Sequence, residues 1–261
     1  MSKGHKGIWA GTWLIVATLV CGLVAARADE GMDSAGGPVR VMTQNMDEGT
    51  DFLELIAATS FQDFLKAVTT TYENILGTKP AERAAAMARE IAKARPDLVG
   101  LQEASILRTG PITQPPVPAT SVQMDLLQSL LSELKKLGQH YDVVAIVPGV
   151  DAQAPSTLGL EVRITTQDAI IARRDLEHLT LQVQVQRFLT NLTIDTPVGQ
   201  ITIPRGWASI DAMIRGRPLR FVTTHLEPNS PAVQKAQAIE LVANASDTTT
   251  FPVVFAGDFN A

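Results

Sequence analysis

Cysteine is nearly absent from this chain: Cys21 is the one example in 261 residues. It lies in an apolar leader that reads as removable. The rest of the chain therefore has no thiol for an intramolecular disulfide, a thiolate metal site or a cysteine nucleophile. Aromatic residues are sparse, at 5%, so little material exists for an exposed aromatic surface. No basic stripe and no internal repeat is visible. Acids outnumber bases, 27 against 22, for a formal net charge of −5. Lys and Arg contacts to phosphate supply most non-specific affinity for nucleic acid, so this balance argues against a general duplex binder. It leaves room for a nuclease that handles one phosphate with a metal and a few local bases.

What is present is ordinary for a globular chain. The apolar fraction is 45% and the charged fraction 19%, enough for one large domain or two small ones with a sizeable core. The first 28 residues stand apart. Lys3, His5 and Lys6 make a basic start, Ile8 to Ala26 is apolar apart from two threonines, and Ala26-Arg27-Ala28 has a small-x-small pattern. This predicts a signal peptide cleaved after Ala28 and a secreted or periplasmic protein. The alternative is an uncleaved anchor, since the apolar run is near the lower limit for spanning. Loss of Lys3, Lys6 and Arg27 would take the net charge from −5 to −8. Residues 29–38 read as a flexible lead-in, and residues 39–261 as the folded domain.

Along that domain the apolar spacing predicts a strand at 39–45 and two helices between Thr50 and Leu76, the second capped by Ser60. A helix follows from Pro80 to Ala94, then a strand at 97–103 launched by Arg95-Pro96-Asp97. Residues 105–120 carry four prolines and read as a long surface loop. Val122 to Leu137 reads as an amphipathic helix, Tyr141 to Val147 as a strand, and residues 148–165 as loop. From Asp168 onward strands dominate, with hairpin signals at Thr196-Pro197-Val198-Gly199 and Arg215-Gly216-Arg217-Pro218. Pro231 to Ala245 reads as a helix and Phe251 to Ala256 as a last strand. Helices that alternate with strands early, and hairpins later, predict an α/β (α+β) sandwich of two packed mixed β-sheets flanked by helices.

Four apolar strands end in polar groups. They are Val39 to Asn45, Asp97 to Glu103, Arg220 to His225 and Val253 to Asn260. Asp258 and Asn260 are two apart, so in an extended segment they share a side while Phe259 can turn into a core. Glu103, at the mouth of a buried strand, is a hard oxygen ligand of the kind that suits Mg²⁺ or Mn²⁺ with waters retained. Asn45 leaves the first strand at the equivalent place, or forms a turn there. Met46-Asp47-Glu48-Gly49-Thr50-Asp51 reads as a solvated acidic loop, with support of a metal by its three acids as the alternative. Arg205 heads a strand and either binds substrate anions or lies on the surface.

In the order Gln-Asn, Leu-Gln-Glu, Thr-His-Leu-Glu, Gly-Asp-Phe-Asn, these segments resemble the endonuclease/exonuclease/phosphatase superfamily over residues 39–261. The resemblance implies a four-layer sandwich with strand ends of both sheets converging on one site. It implies that Glu103 holds the catalytic Mg²⁺ or Mn²⁺ with Asn45 beside it. By the same resemblance His225 contacts the scissile phosphate, and Asp258 orients or deprotonates the attacking water. Asn260 hydrogen-bonds a phosphoryl oxygen, and Asp168 contacts phosphate. The implied activity is divalent-metal-dependent hydrolysis of a phosphodiester or phosphomonoester in nucleic acid, phospholipid or a small molecule, by a monomer with no obligate protein partner. A lipid substrate would call for exposed aromatics, for which Trp207 and Phe188 are available. The family normally continues to a later Asp-His pair whose histidine is assigned as general base. None of His5, His140, His178 and His225 has that context. The expectation is a C-terminally truncated member, and the alternative a catalytically impaired or non-catalytic binding module that kept the fold.

Overall fold

The computed structural model describes residues 37–176, 180–246 and 250–261. The predicted signal peptide, most of the lead-in and His178 lie outside the described residues. The first half alternates helix and strand: β1 (Val41–Asn45), α1 (Leu53–Ala57), α2 (Phe61–Gly77), α3 (Pro80–Ala94) and β2 (Leu98–Gln102). Next come β3 (Ile106–Pro111), β4 (Ser121–Asp125), α4 (Leu126–Lys136), β5 (Tyr141–Pro155) and β6 (Leu160–Arg173). The second half is mainly strand: β7 (Thr180–Arg187), β8 (Leu192–Thr196), β9 (Gly199–Ile203), β10 (Gly206–Ile214) and β11 (Arg217–His225). It closes with α5 (Pro231–Ala245) and β12 (Val253–Asp258). Helix starts follow capping chemistry. Ser60 accepts from the Asp63 amide, Asp125 from Gln128 and Ser230 from Val233.

The strands form two large mixed sheets. One runs β1-β2-β6-β3-β4, with β5 also paired to β6. The other runs β12-β11-β10-β7. Within them β1 and β2 are parallel, as are β11 and β12. The predicted four-layer sandwich is what forms, and three apolar clusters fill its three seams. Leu130, Leu134, Ile91 and Phe64 of the helices meet Val99, Leu101 and Ile171 of the first sheet. Between the sheets, Leu98, Ile170 and Ala172 meet Ile210, Ile214 and Phe221. Outside the second sheet, Trp207 and Val222 meet Leu241 and Ala245 of α5. Burial on both faces explains why β2 reads as a continuous apolar run over Leu98–Leu101 rather than as an alternating one.

Three local expectations fail. Residues 105–120 are not all loop, because β3 pairs β6 over Ile106–Pro111; Pro111 ends that ladder and the other three prolines lie beyond it. The helix expected from Val122 begins at Leu126; Ser121–Asp125 instead pairs β3, and Asp125 then caps the helix. Residues 148–165 are mostly strand, since β5 and β6 form one long hairpin from Tyr141↔Arg173 to Pro155↔Glu161. Register shifts at Val143/Ala145 and Pro148/Asp151 blur its alternation, and a two-residue period is the signal that sequence reading relies on.

The inter-sheet seam is narrow where it approaches the polar strand ends. A Cβ on Gly100 would lie 2.5 Å from the Thr223 hydroxyl, closer than real atoms approach. Beside it the Gln102 side chain, 1% exposed, donates to Thr223 Oγ1 at 2.8 Å and accepts from Thr43 Oγ1 at 3.1 Å. At the other end Asp97 accepts two bonds from the Arg215 guanidinium, at 2.8 and 2.6 Å. Gly100→Ala should destabilise the protein by about 1–3 kcal/mol, because the seam must widen to admit one methyl. The urea midpoint of unfolding measures this; an unchanged midpoint means that the close approach is not a constraint.

Candidate active site

The site residues share a geometric origin. Side chains alternate along a strand, and Val41, Leu98, Ile170, Phe221 and Val254 all face the inter-sheet seam. Stepping by twos from these places Thr43 and Asn45, Gly100 and Gln102, Asp168, Thr223 and His225, and Asp258 on the same inner faces. Parallel registers then align the ends, Asn45 with Gln102 and His225 with Asp258. Asp168 lies mid-strand, yet β6 runs past the end of β2, which brings Asp168 beside Glu103.

Glu103 departs from the alternation. It follows Gln102 in a left-handed conformation, φ 56°, which breaks the pattern that puts Val99 and Leu101 against the helices. A non-glycine residue in that region is strained, and such strain gathers at functional sites. Glu103 Oε1 accepts from Asn45 Nδ2 at 2.8 Å, and its Oε2 accepts from the Glu48 amide at 2.7 Å. The same Asn45 nitrogen donates to Asp258 Oδ2 at 2.9 Å. One amide thus joins carboxylates 155 positions apart in the chain, one from each sheet. Asn45 Oδ1 meanwhile accepts from the Asp47 amide at 2.8 Å. The Glu103 amide donates to Asp168 Oδ1 at 3.2 Å.

His225 sits among three carboxylates. Its Nε2 is 4.0 Å from Glu103 Oε1 and 3.9 Å from Asp258 Oδ2, and its Nδ1 is 3.9 Å from Asp168 Oδ1. Burial, reinforced by the positive Arg205, lowers its pKa to about 3, so the imidazole is neutral. Burial would raise the Asp258 carboxyl, but bonds from Asn45 and the Asn260 amide, with His225 and Arg205 nearby, hold it below the usual range. Burial raises Asp168 to about 7.

Asn260 also has a left-handed φ, 52°. Its amide N–H donates to Asp258 Oδ1 at 3.0 Å, and its side chain donates to the Leu226 carbonyl at 2.8 Å. Gly257, within β12, permits a close approach to β11, since a Cβ there would lie 2.2 Å from the Thr224 carbonyl oxygen. Phe259 packs into the outer seam with α5, as alternation requires. Arg205 is partly exposed, its Nε 3.8 Å from Glu227 Oε2 and without a hydrogen-bond partner. A cavity of about 600 Å³ opens here, lined in part by Glu48, Glu103, Asp168, Arg205, His225 and Asn260.

Sequence reading favoured a solvated loop for Glu48 over a place beside the metal. The loop after Asn45 is not simply solvated: Met46 is fully buried and Glu48 nearly so. Glu48 accepts from the Ser105 hydroxyl at 2.5 Å. Burial, with the Glu103 charge adding to it, raises its pKa to about 8. The usable signal was the shared exit of two parallel strands. Glu48 and Ser105 each lie just past the ends of paired strands, so they are neighbours. Trp207 and Phe188 are not exposed aromatics; both are buried in the outer seam. Residues fit for a divalent cation are present in one respect. The Glu103 carboxylate offers oxygen alone and opens on the cavity, as suits Mg²⁺ or Mn²⁺. Among the described residues no group of three or more His, Cys, Asp or Glu side chains forms a ready-made cage.

A sequence profile of the Endonuclease/Exonuclease/phosphatase family matches residues 74–261, and the chain belongs to that family. No curated protein matches it. Among solved structures it is similar to a family protein from Leptotrichia buccalis, 18% identical over 69% of this chain and 60% of that one, with a TM-score of 0.43. A mannosyl-6-phosphatase of Bacteroides thetaiotaomicron is 16% identical over 85% and 66%, at 0.45. The D. rerio protein TDP2, complexed with a single-strand DNA product, is 17% identical over 85% and 61%, at 0.45. The chain thus spans less than two thirds of each of these structures.

The buried groups predict a pH signature in the metal-free protein. Glu48 and Asp168 keep their protons up to about pH 8 and 7 when folded, whereas unfolded carboxyls ionise near pH 4. Their contribution is full below pH 4 and is lost as pH rises through 7 and 8. His225, depressed to about 3, contributes oppositely, and only below about pH 6.5, where the unfolded imidazole titrates. Stability in EDTA should therefore fall between pH 6.5 and 8. Glu48→Gln should flatten that fall, as thermal melts at stepped pH will measure; an equal slope in the variant would refute the assignment.

Proposed function

We propose that this protein is a secreted, divalent-metal-dependent phosphoesterase that hydrolyses a phosphodiester or phosphomonoester by in-line attack of water. The observation that carries the reading is the Asn45 amide, which binds Glu103 of one sheet and Asp258 of the other, with His225 within 4.0 Å of both. Carboxylates crowded at the mouth of an apolar seam repel one another, and a cation relieves that repulsion. Glu103, with Asn45 beside it, would hold Mg²⁺ or Mn²⁺; the ion, when bound, neutralises phosphoryl charge and stabilises the leaving oxygen.

The chain's own residues do the rest. Asp258, ionised at neutral pH, accepts a hydrogen bond from the attacking water and orients it. It takes the water's proton as the new P–O bond forms and the bond to the leaving oxygen breaks; that oxygen is then protonated from solvent. His225 is neutral, so it acts as a hydrogen-bond donor to the phosphoryl group rather than as a fixed cation. Asp168, beside Nδ1, orients the ring. Asn260 and Arg205 line the same cavity and supply donors to phosphoryl oxygens. The substrate is a nucleic acid, a phospholipid or a small phosphoester, handled by a monomer.

A hydrolysis panel with Mg²⁺ tests this. EDTA should abolish turnover, and Glu103→Ala should lower kcat by at least about 100-fold, the scale of losing one charge-stabilising group. Turnover that survives both treatments would remove the metal assignment. Mg²⁺ binding without turnover on any ester would leave a non-catalytic module. Export has its own check: protein recovered from the periplasm or medium should begin at Asp29, and one still starting at Met1 would overturn the leader assignment.

A further inference from the structure

The cavity beside the site extends well beyond the polar groups. Its remaining wall is largely apolar and comes from helices and strands of both halves of the chain, with Leu55 of α1, Val68 of α2, Ala152 of β5, Ile164 of β6, Ile194 of β8 and Ile201 of β9 among the lining side chains. Protein interiors rarely leave voids much larger than a water molecule; the inter-sheet and outer seams of this sandwich are filled, and the space opens at the edge of the helix-facing seam, where Phe64, Val68 and Leu107 line it. A space of about 600 Å³ is the size of a small-molecule site. The roof is a separate feature. β8 and β9 pair only with each other among the described strands, outside both large sheets, and β8 packs against α1. A lone two-strand ribbon is marginal in water, so its apolar inner face calls for a partner.

We propose that this cavity receives the apolar chain of the substrate, so that the ester cleaved is that of an amphiphilic alcohol. Its phosphate lies against Glu103, His225 and Arg205, and its chain runs under the β8–β9 ribbon towards α2. This deepens the phosphoesterase reading and rests on it for the placement of the phosphate. The acidic balance of the chain fits the same conclusion, since a single-phosphate head needs only Arg205 and a cation, whereas a polynucleotide backbone needs many bases.

Binding of methyl, butyl and octyl phosphate in Mg²⁺, by titration calorimetry below micellar concentrations, tests the proposal without requiring turnover. Affinity should rise about 4-fold per added methylene, the transfer free energy of one CH₂, and level off when the cavity is full. Ala152→Trp, which fills the lumen from an exposed position, should bring octyl phosphate down to the affinity of methyl phosphate. Ile201→Ala, a smaller change in the ribbon, should reduce the octyl gain by about 3- to 10-fold. Equal affinities for methyl and octyl phosphate would overturn the proposal, as would an octyl gain that survives both variants. Tighter binding of thymidine 5′-phosphate than of octyl phosphate would turn the cavity into a nucleobase site. Hydrolysis of the ester panel is read separately: turnover with no chain-length dependence removes the cavity proposal alone, and chain-length-dependent binding without turnover removes the enzyme reading alone.

Discussion

The contact among Gly100, Gln102 and Thr223 sets the rest of the molecule. Two twisted sheets pack at a spacing that their side chains dictate, ordinarily about 10 Å. Here the spacing near the strand ends is dictated by a missing side chain and one buried amide. Gly100 lets the Thr223 hydroxyl come close, and Gln102 then bonds it across the seam. Glu103 is the next residue after Gln102, and His225 is two beyond Thr223. The separation of the carboxylate from the imidazole is therefore inherited from a contact one or two residues away, inside the core. A buried side-chain amide is unfavourable unless both its ends are used, and here Thr43 takes up the other end. The seam has one register in which all three groups are satisfied, and that register assembles the site.

Assembly runs against electrostatics. Glu48, Glu103, Asp168 and Asp258 gather where water is scarce, and Arg205 is the positive charge that bears on them. The chain reduces the conflict in three ways. Glu48 and Asp168 hold protons, Asn45 shares its amide between Glu103 and Asp258, and backbone amides of Glu48 and Asn260 cap the remaining oxygens. Strain adds to the load, since Asp47, Glu103 and Asn260 all adopt left-handed φ angles. These features lower stability locally and fit a site that gains its full stability from a cation and an anion bound together. The opposite end of the seam compensates: Asp97 is buried with Arg215 and Arg173 around it, and Asp175 pairs Arg173, a neutralised cluster far from the candidate site.

Much of this was legible in the sequence because β1, β2, β11 and β12 each combine an apolar run with a polar exit. Buried strands that end at a common face leave that mark, and the Gly-Asp-Phe-Asn spacing placed Phe259 in a core and Asp258 at the seam. The helices were readable for a similar local reason, since Ser60 and Pro80 announce their starts. What escaped reading depends on partners distant in sequence. β3 and the outer half of β6 are strands because they pair each other, not because their composition demands it. The burial of Glu48 follows from the parallel exit of β1 and β2 and from Ser105, 57 residues away. The β8 strand was missed although its hairpin turn was seen, as its apolar positions serve a cavity rather than a core.

That cavity and the acidic cluster make sense as one device. Charges act most strongly where water is excluded. An acidic pocket open to solvent on all sides would hold its cation weakly and orient its water poorly. Apolar walls from α1, α2 and the β8–β9 ribbon lower the local dielectric around Glu103 and His225, and an apolar chain seated against them would expel the remaining water. The same burial depresses His225 to about 3, so the imidazole can donate without adding a positive charge beside the cation that the proposed function places on Glu103. In the proposed reaction, binding the chain and sharpening the electrostatics would be one physical event, linking recognition of an apolar substrate part to reactivity at its phosphorus.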